Sequence, residues 1–434
     1  MRADEIEIIA SGTPQHTPRF RGAIMNGRRI AVGTIFATLI AAATPALGQG
    51  YGTDSQNVLM PASGGMAGVS LALPQDAPSA VFGNPATLAQ FRGTHFTVAG
   101  GWTEGHTQVG HDGFLEEGPA YTMTSGTQGL LVPNIGVTQD LRSLGLPGTF
   151  GLGVAGLSGI GAEFRGRAPE GSFGNSFSSE FLVLGVNAGA GVELTDRLAV
   201  GASLTLGIGF EQLGLVQSTA MVHDYALRGN FGFDYDVDAC STMGVFYQTE
   251  LGFNFPNAFR LPDGSYRNIH MAQPQTVGLG LANHRLCDGN LLLAADIYCK
   301  LWEDADLYEN IFVDQWAFAF GTQLTRGKMK YRLGYSYNTN PINHKVGDQL
   351  SGLPVAQAEV QFFQAANTAV INQHRLTAGF GREDFLFRGV DLDFFAGGLF
   401  NAADQFGPHT TASVALYYLG LGLTWRYGEP TNHQ

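Results

Sequence analysis

Between Leu198 and Phe210 every second residue is apolar: Leu198, Val200, Ala202, Leu204, Leu206, Ile208 and Phe210 alternate with Ala199, Gly201, Ser203, Thr205, Gly207 and Gly209. Tyr225, Leu227, Phe231, Phe233 and Tyr235 likewise oppose Arg228, Asn230, Gly232 and Asp234, and Met243, Val245, Tyr247, Leu251 and Phe253 oppose Gly244, Gln248, Glu250 and Asn254. Side chains alternate across a strand but spiral round a helix, so a period of two predicts strands. Fourteen such segments can be read, near 94–104, 128–138, 148–158, 180–192, 198–210, 223–235, 242–255, 275–283, 290–302, 314–325, 329–339, 374–382, 389–400 and 414–427.

The connections sort by parity. After even-numbered strands they are mostly tight, as at Cys287-Asp288-Gly289 and Arg326-Gly327-Lys328, with 139–147 the longest of the class. After odd-numbered strands they are long: 105–127, 159–179, 211–222, 256–274, 303–313, 340–373 and 401–413. An even number of strands with short turns on one rim and long loops on the other predicts an all-β, antiparallel transmembrane β-barrel. Trp102, Trp316, Tyr331, Tyr337, Trp425 and Tyr427 fall at or near strand ends on the apolar face, as interfacial girdles do. The competing architecture is a soluble β-sandwich, which covers its outer faces with charge.

Charge is scarce here. Only 14% of the 434 residues are charged, against about 25% in an ordinary soluble domain. Glycine supplies 60 residues without a collagen period. The net charge of −13 and the lack of a basic stripe exclude nucleic acid as a partner. Met25-Asn26-Gly27-Arg28-Arg29, the apolar run Ile30 to Ala43 and Ala46-Leu47-Gly48 read as a secretory signal peptide over 1–48, with Met25 an alternative start and general secretion preferred to a twin-arginine route. An exported barrel of this kind belongs in the outer membrane of a Gram-negative-type bacterium, with lipid and the barrel-assembly machinery as partners. The organisation expected is an N-terminal hatch at 49–93, a barrel at 94–427 and a tail at 428–434.

The segment before the first strand differs from the rest. Gly64-Gly65-Met66-Ala67-Gly68 and Asp76 to Ala89, with a proline-fixed turn at Asn84-Pro85, suit short helices inside a lumen. This stretch resembles the N-terminal hatch of the FadL-type outer-membrane transporters of long-chain fatty acids and other hydrophobic compounds. Their hatch ends in an Asn-Pro-Ala motif, matched by Asn84, Pro85 and Ala86. The segments Leu293 to Ile297 with Trp302, Tyr331 to Tyr337 with Asn340-Pro341, and His374 to Gly381 are similar in order and spacing to the family's later strands. Fourteen strands is the family's number. One departure is the seven residues that follow Tyr427, where the family tends to end on an aromatic strand terminus.

The resemblance implies a monomeric transporter: capture of an apolar ligand in outer loops, binding beside the hatch, and lateral release where the third strand kinks. Leu213, Leu215, Val216, Phe259 and Leu261 are candidates for the capture loops, and packing of loop on loop suits them equally. Gly156, Gly159 and Gly161 are candidates for the opening, since glycine within a strand marks a bulge, a bend or a close approach. Admission of hatch side chains is the rival use of these glycines. Period two turns Arg228, Lys300, Arg332 and Arg375 inward with Asp234, Asp296, Asp391 and Asp393. Arg228, Lys300 and Arg375 are candidates for an anionic ligand head, while salt bridges holding the hatch account for the same residues.

Other signals carry less. Gly151 to Gly156 fits a dinucleotide-binding glycine pattern but no βαβ unit surrounds it. His106, His111 and the acidic loop Glu303, Asp304, Asp306 and Glu309 read as solvated loop polarity rather than a metal site, and no cofactor is expected. Cys240 and Cys287 lie on turns two strands apart, expected to exceed the reach of a disulfide, and Cys299 faces outward. The leading function is transport of hydrophobic small molecules. The alternatives are a non-transporting scaffold of the same barrel family for secretion or surface assembly and, weakest, a barrel hydrolase; the chain is not expected to be an enzyme.

Overall fold

The computed structural model describes residues 57–214, 220–260, 264–350, 352–367 and 370–428. The signal segment, residues 49–56 of the expected hatch, and residues 429–434 of the tail lie outside these. Fourteen strands close one antiparallel barrel: β1 (Thr94–His111), β2 (Leu130–Asp140), β3 (Gly148–Glu163), β4 (Ser178–Thr195), β5 (Leu198–Gly214), β6 (Val222–Asp238), β7 (Ser241–Gln248), β8 (Thr276–Leu286), β9 (Leu291–Lys300), β10 (Gln315–Arg326), β11 (Met329–Asn338), β12 (His374–Arg382), β13 (Val390–Phe406) and β14 (Thr410–Tyr427). The barrel closes at the seam between β14 and β1, which pair from Thr94↔Tyr427 to His111↔Thr410. No helix among the described residues is long and apolar enough to cross a membrane.

Alternation sets the two faces. Leu204, Leu227, Phe231, Phe233, Leu281, Phe320, Leu333 and Leu421 stand exposed on the outer surface, while Asn187, Thr205, Asn230, Asp296 and Ser336 are buried inside. An outer wall of exposed leucine and phenylalanine over polar interior positions is a soluble protein turned inside out, and it suits a hydrocarbon surround.

Residues 57–93 occupy the lumen as three short helical turns, Ser63–Met66, Ala77–Phe82 and Pro85–Gln90. Asp76 caps the second, accepting from the Ser79 N–H at 2.8 Å, and Asn84 caps the third. Glycine explains how a backbone plug fits. At Gly201, Gly232, Gly244 and Gly334 a Cβ would collide with hatch atoms of Pro85–Ala86, Asn84, Leu71 and Met66–Ala67; at Gly191 it would stand 2.7 Å from the Pro85 carbonyl oxygen. Inward glycines therefore form the seat against which the hatch main chain rests.

Several segments differ from the sequence reading: within the loop expected at 105–127, for one, β1 runs on to His111 and Tyr121–Thr124 pairs with it. The seventh strand, expected to run from 242 to 255, leaves the wall at Gln248. Leu251–Arg260 and Tyr266–Gln273 form a separate hairpin, in place of a loop over 256–274. Its Leu251 and Phe253, read from the alternation as outward, are buried against Gly207 and Gly209 of β5. The chain leaves the wall at Thr249-Glu250, so the same odd-numbered positions press on the inner face of β5, which an apolar face suits as well as it suits lipid. The loop expected at 401–413 is instead strand on both sides of the short turn 407–409.

The long-loop rim carries an apolar hood. The hairpin, residues 301–313, and helix α1 (Gln357–Asn367) join Phe164, Phe177 and Phe181 in one buried cluster that includes Trp302, Tyr308, Phe312, Phe362 and Phe363. The three cysteines are free thiols.

Candidate functional site

Between hood and hatch lies an internal cavity of about 60 Å3. Its floor is Asn57 to Met60 and Phe82 of the hatch, its roof Trp302 and Tyr308 of the hood, and its sides include Arg228, Gln248, Gln273 and Lys300. The roof is built by ring packing. Trp302 meets Tyr308 edge-on at 5.0 Å, Tyr308 stacks on Phe312 at 5.3 Å, and the Trp302 indole N–H donates to Gln315 Oε1 at 3.3 Å. Between the two aromatics Leu307 holds a φ of 69° without being glycine, so this loop stores backbone strain.

Arg228 projects inward from β6 because its strand alternates there, and it is buried. Its Nη1 donates to Gln273 Oε1 at 3.3 Å, and its Nε has no hydrogen-bond partner among the described residues. Below it, Gln248 Nε2 donates to Asn230 Oδ1 at 2.7 Å, and Asn230 Nδ2 donates to Ser203 Oγ and Thr205 Oγ1. The Tyr308 hydroxyl also lacks a partner among the described residues. Burial, then the charge of Glu211, pushes its phenol well above the usual range, so it remains an O–H donor. Buried donors without acceptors are uncommon, and two of them on residues lining one cavity suit a ligand that brings oxygen lone pairs.

The cavity touches the wall at a defect. The β2–β3 ladder runs from Asp140↔Thr149 to Asn134↔Ala155 and stops there, one residue short of Pro133, which has no N–H to offer. Against β4 the register shifts between Gly156 and Ser158, leaving Leu157 as the extra residue of a β-bulge. The bulge inverts the alternation: Gly151, Gly153 and Ala155 face the lumen before it, Ser158, Ile160 and Ala162 after it. Leu157 lies over Gly185, where a Cβ would stand 2.6 Å from its Cδ1. From Gly156 to Glu163 the β3 edge has no ladder to β2, and the margin closes only where the Gly126 N–H donates to the Glu163 carbonyl at 2.7 Å. Gly156, Leu157, Ser158 and Ile160 of this stretch line the cavity.

The sequence-derived candidates distribute as follows. Arg228 and Lys300 meet in the cavity; Arg375 does not line it, and instead sits fully buried beside Tyr418, donating to its hydroxyl at 3.1 Å. Gly156, Gly159 and Gly161 all fall in the unladdered stretch of β3. Leu213 is buried in the hood cluster and Phe259 packs half-buried against it, while Leu215, Val216 and Leu261 lie outside the described residues. The inward acids have structural partners: Asp393 pairs with Arg332 at 2.6 Å, Asp391 with Arg426 at 2.8 Å, Asp234 accepts from Gln90, and Asp296 from the Ser70 and Leu71 N–H groups. Sequence reasoning missed Gln273 and Tyr308 as lining residues. The available signal was the aromatic run Trp302, Tyr308, Phe312 within an otherwise acidic loop.

Comparison with solved structures gives the fold a context. The toluene transporter TodX of P. putida aligns over 87% of this chain and 100% of its own, at TM-score 0.63 and 16% identity. The chain has the fold of the FadL-type channels. A Pseudomonas aeruginosa FadL homologue aligns over 86% of this chain and 99% of its own at TM-score 0.65 and 12% identity, and the Ralstonia pickettii toluene transporter TbuX over 87% and 99% at TM-score 0.60 and 16% identity. No protein-family model matches the chain, and no curated protein matches its sequence.

Proposed function

We propose that the chain is an outer-membrane channel of FadL type that admits hydrophobic small molecules bearing an anionic head. The long-loop rim then faces outward from the cell and the short-turn rim faces the periplasm. A ligand enters through the hood, lodges in the cavity with its head at Arg228 and Lys300, and leaves sideways between β2 and β3 into the membrane. The shared fold with channels named as toluene transporters and as a FadL homologue supports the apolar part of the substrate. The two inward cations support the charged part.

One observation carries this reading: the cavity is bounded by the residues at which the wall loses its ladder. Release through the floor would require a hatch seated on glycines and held by buried hydrogen bonds to move, whereas the side route already lacks hydrogen bonds. At about 60 Å3 the cavity is smaller than the roughly 150 Å3 void that takes up benzene, so loading requires the roof or Leu157 to shift. The test is uptake of a labelled long-chain fatty acid and of a labelled aromatic hydrocarbon by cells with and without the protein. Faster fatty-acid entry with it supports the reading; equal entry of both compounds in both strains overturns it in favour of a scaffold.

A further inference from the structure

The periplasmic turns β10–β11 and β12–β13 stand out in a protein of net charge −13. Within two residues of the flanking strands they hold five cations, Arg326, Lys328, Lys330, Arg382 and Arg388, against three acids, and all three acids are taken: Asp384 by Lys328 at 2.9 Å, Glu383 by Lys330 at 2.9 Å and Asp391 by Arg426 at 2.8 Å. Arg326, Arg382 and Arg388 are exposed and have no ion-pair partner among the described residues. Register places two of them in one cross-strand row, Arg326↔Met329↔Arg382. Two strand spacings set these arginines about 10 Å apart at the foot of the outer wall.

Apolar features flank that row on both sides. Below it the turn projects Phe385, Leu386 and Phe387, the last two 64% and 60% exposed. The turn is not loose: Gly389 N–H donates to Asp384 Oδ1 at 2.7 Å and Phe385 N–H to the Val390 carbonyl at 2.7 Å. Above it an apolar groove of about 720 Å3 crosses the outer face, walled by Leu281, Leu293, Phe320, Leu333 and Leu376. Thr322 and Leu333, which border the groove, stand four residues up their strands from Arg326 and Met329, about 13 Å.

We propose that this face binds a diacyl phospholipid with an anionic headgroup from the periplasmic leaflet, its phosphate between Arg326 and Arg382 and an acyl chain in the groove. Charge complementarity selects this occupant. Unpaired arginines at the lower end of an apolar wall stand at the level of lipid phosphates, guanidinium suits phosphate oxygens, and the Phe-Leu-Phe tip rests in the same interface. The proposal rests on membrane placement of the barrel and is independent of what the channel carries.

The experiment is native mass spectrometry of the folded barrel released from micelles containing equal phosphatidylglycerol and phosphatidylcholine, after insertion into vesicles has been checked by protease protection. The wild type retains phosphatidylglycerol preferentially. In Arg326→Gln/Arg382→Gln the preference falls by about thirtyfold. Arg326→Lys/Arg382→Lys keeps most of it, and Arg197→Gln on another short turn leaves it intact. Equal retention of the two lipids by the wild type, or an unchanged preference in the glutamine variant, overturns the site. A chain that inserts into no vesicle overturns the membrane placement itself, a result separable from loss of headgroup preference.

Discussion

The side-chain amide of Asn84 donates to the main-chain carbonyl of Phe233 in β6 at 2.9 Å, and to that of Leu71 within the hatch at the same distance. One residue of the Asn-Pro-Ala motif thus ties plug to wall. Around the lumen Asn134 donates to the Leu59 carbonyl, Asn187 to the Val81 carbonyl, and Thr377 Oγ1 accepts from the Ala67 N–H. Each bond joins a hatch group to the wall without a ladder between the two.

Asp296 is the strongest of these latches, accepting two hatch N–H groups and the Tyr298 hydroxyl at 3.0 Å. Asp296→Ala orphans both N–H groups at about 1–3 kcal/mol each. Urea unfolding of the purified barrel should show a lower midpoint, with the hatch becoming protease-sensitive before the strands.

The glycine seat makes a steric prediction. Gly244→Leu forces a side chain into Leu71 and so displaces the hatch, whereas the same change at Gly347, where an added Cβ meets nothing within 4 Å, is silent. Single-channel recordings should show open conductance for the first variant only.

Deleting Leu157 removes the extra residue of the bulge and lets β3 continue in register with β4. β3 then loses the kink beside its open edge toward β2, which narrows the exit on the proposed route although the ladder still stops short of Pro133. Uptake should fall at least about tenfold with thermal stability equal or higher, since one interrupted ladder is restored.

Arg228→Gln removes a buried cation from the cavity but keeps a donor. Charge-assisted hydrogen bonds contribute about 1.5–3 kcal/mol, so fatty-acid affinity should weaken about tenfold or more. Affinity for a neutral aromatic, measured by the same calorimetric titration, should stay within about twofold. Equal losses for both ligands would mean that Arg228 shapes the cavity without reading charge.

Trp302→Ala removes a ring from the roof and unpacks Tyr308 and Phe312. Ligand entry should quicken in stopped-flow binding, while release along the proposed route past Leu157 keeps its rate.

Much of this protein was legible in the chain. A period of two fixes strands, scarcity of charge on one face of each marks the outer wall, and the parity of loop lengths tells the two rims apart; these are local constraints that each segment records by itself. Pro85 marked a turn by its own chemistry, while the hatch itself was legible only through the resemblance of Asn84-Pro85-Ala86 to a family motif. Only the tertiary structure decided which face of Leu251 and Phe253 is inside, because lipid and a dry lumen accept the same apolar side chain. It also decided that Arg228 and Lys300 share a cavity while Arg375 stands apart, and that Leu157 inverts the alternation of β3. A bulge is a difference of one residue between two paired strands, and a cavity is what distant segments leave unfilled; both are properties of pairs and clusters, which the order of residues along one strand does not contain.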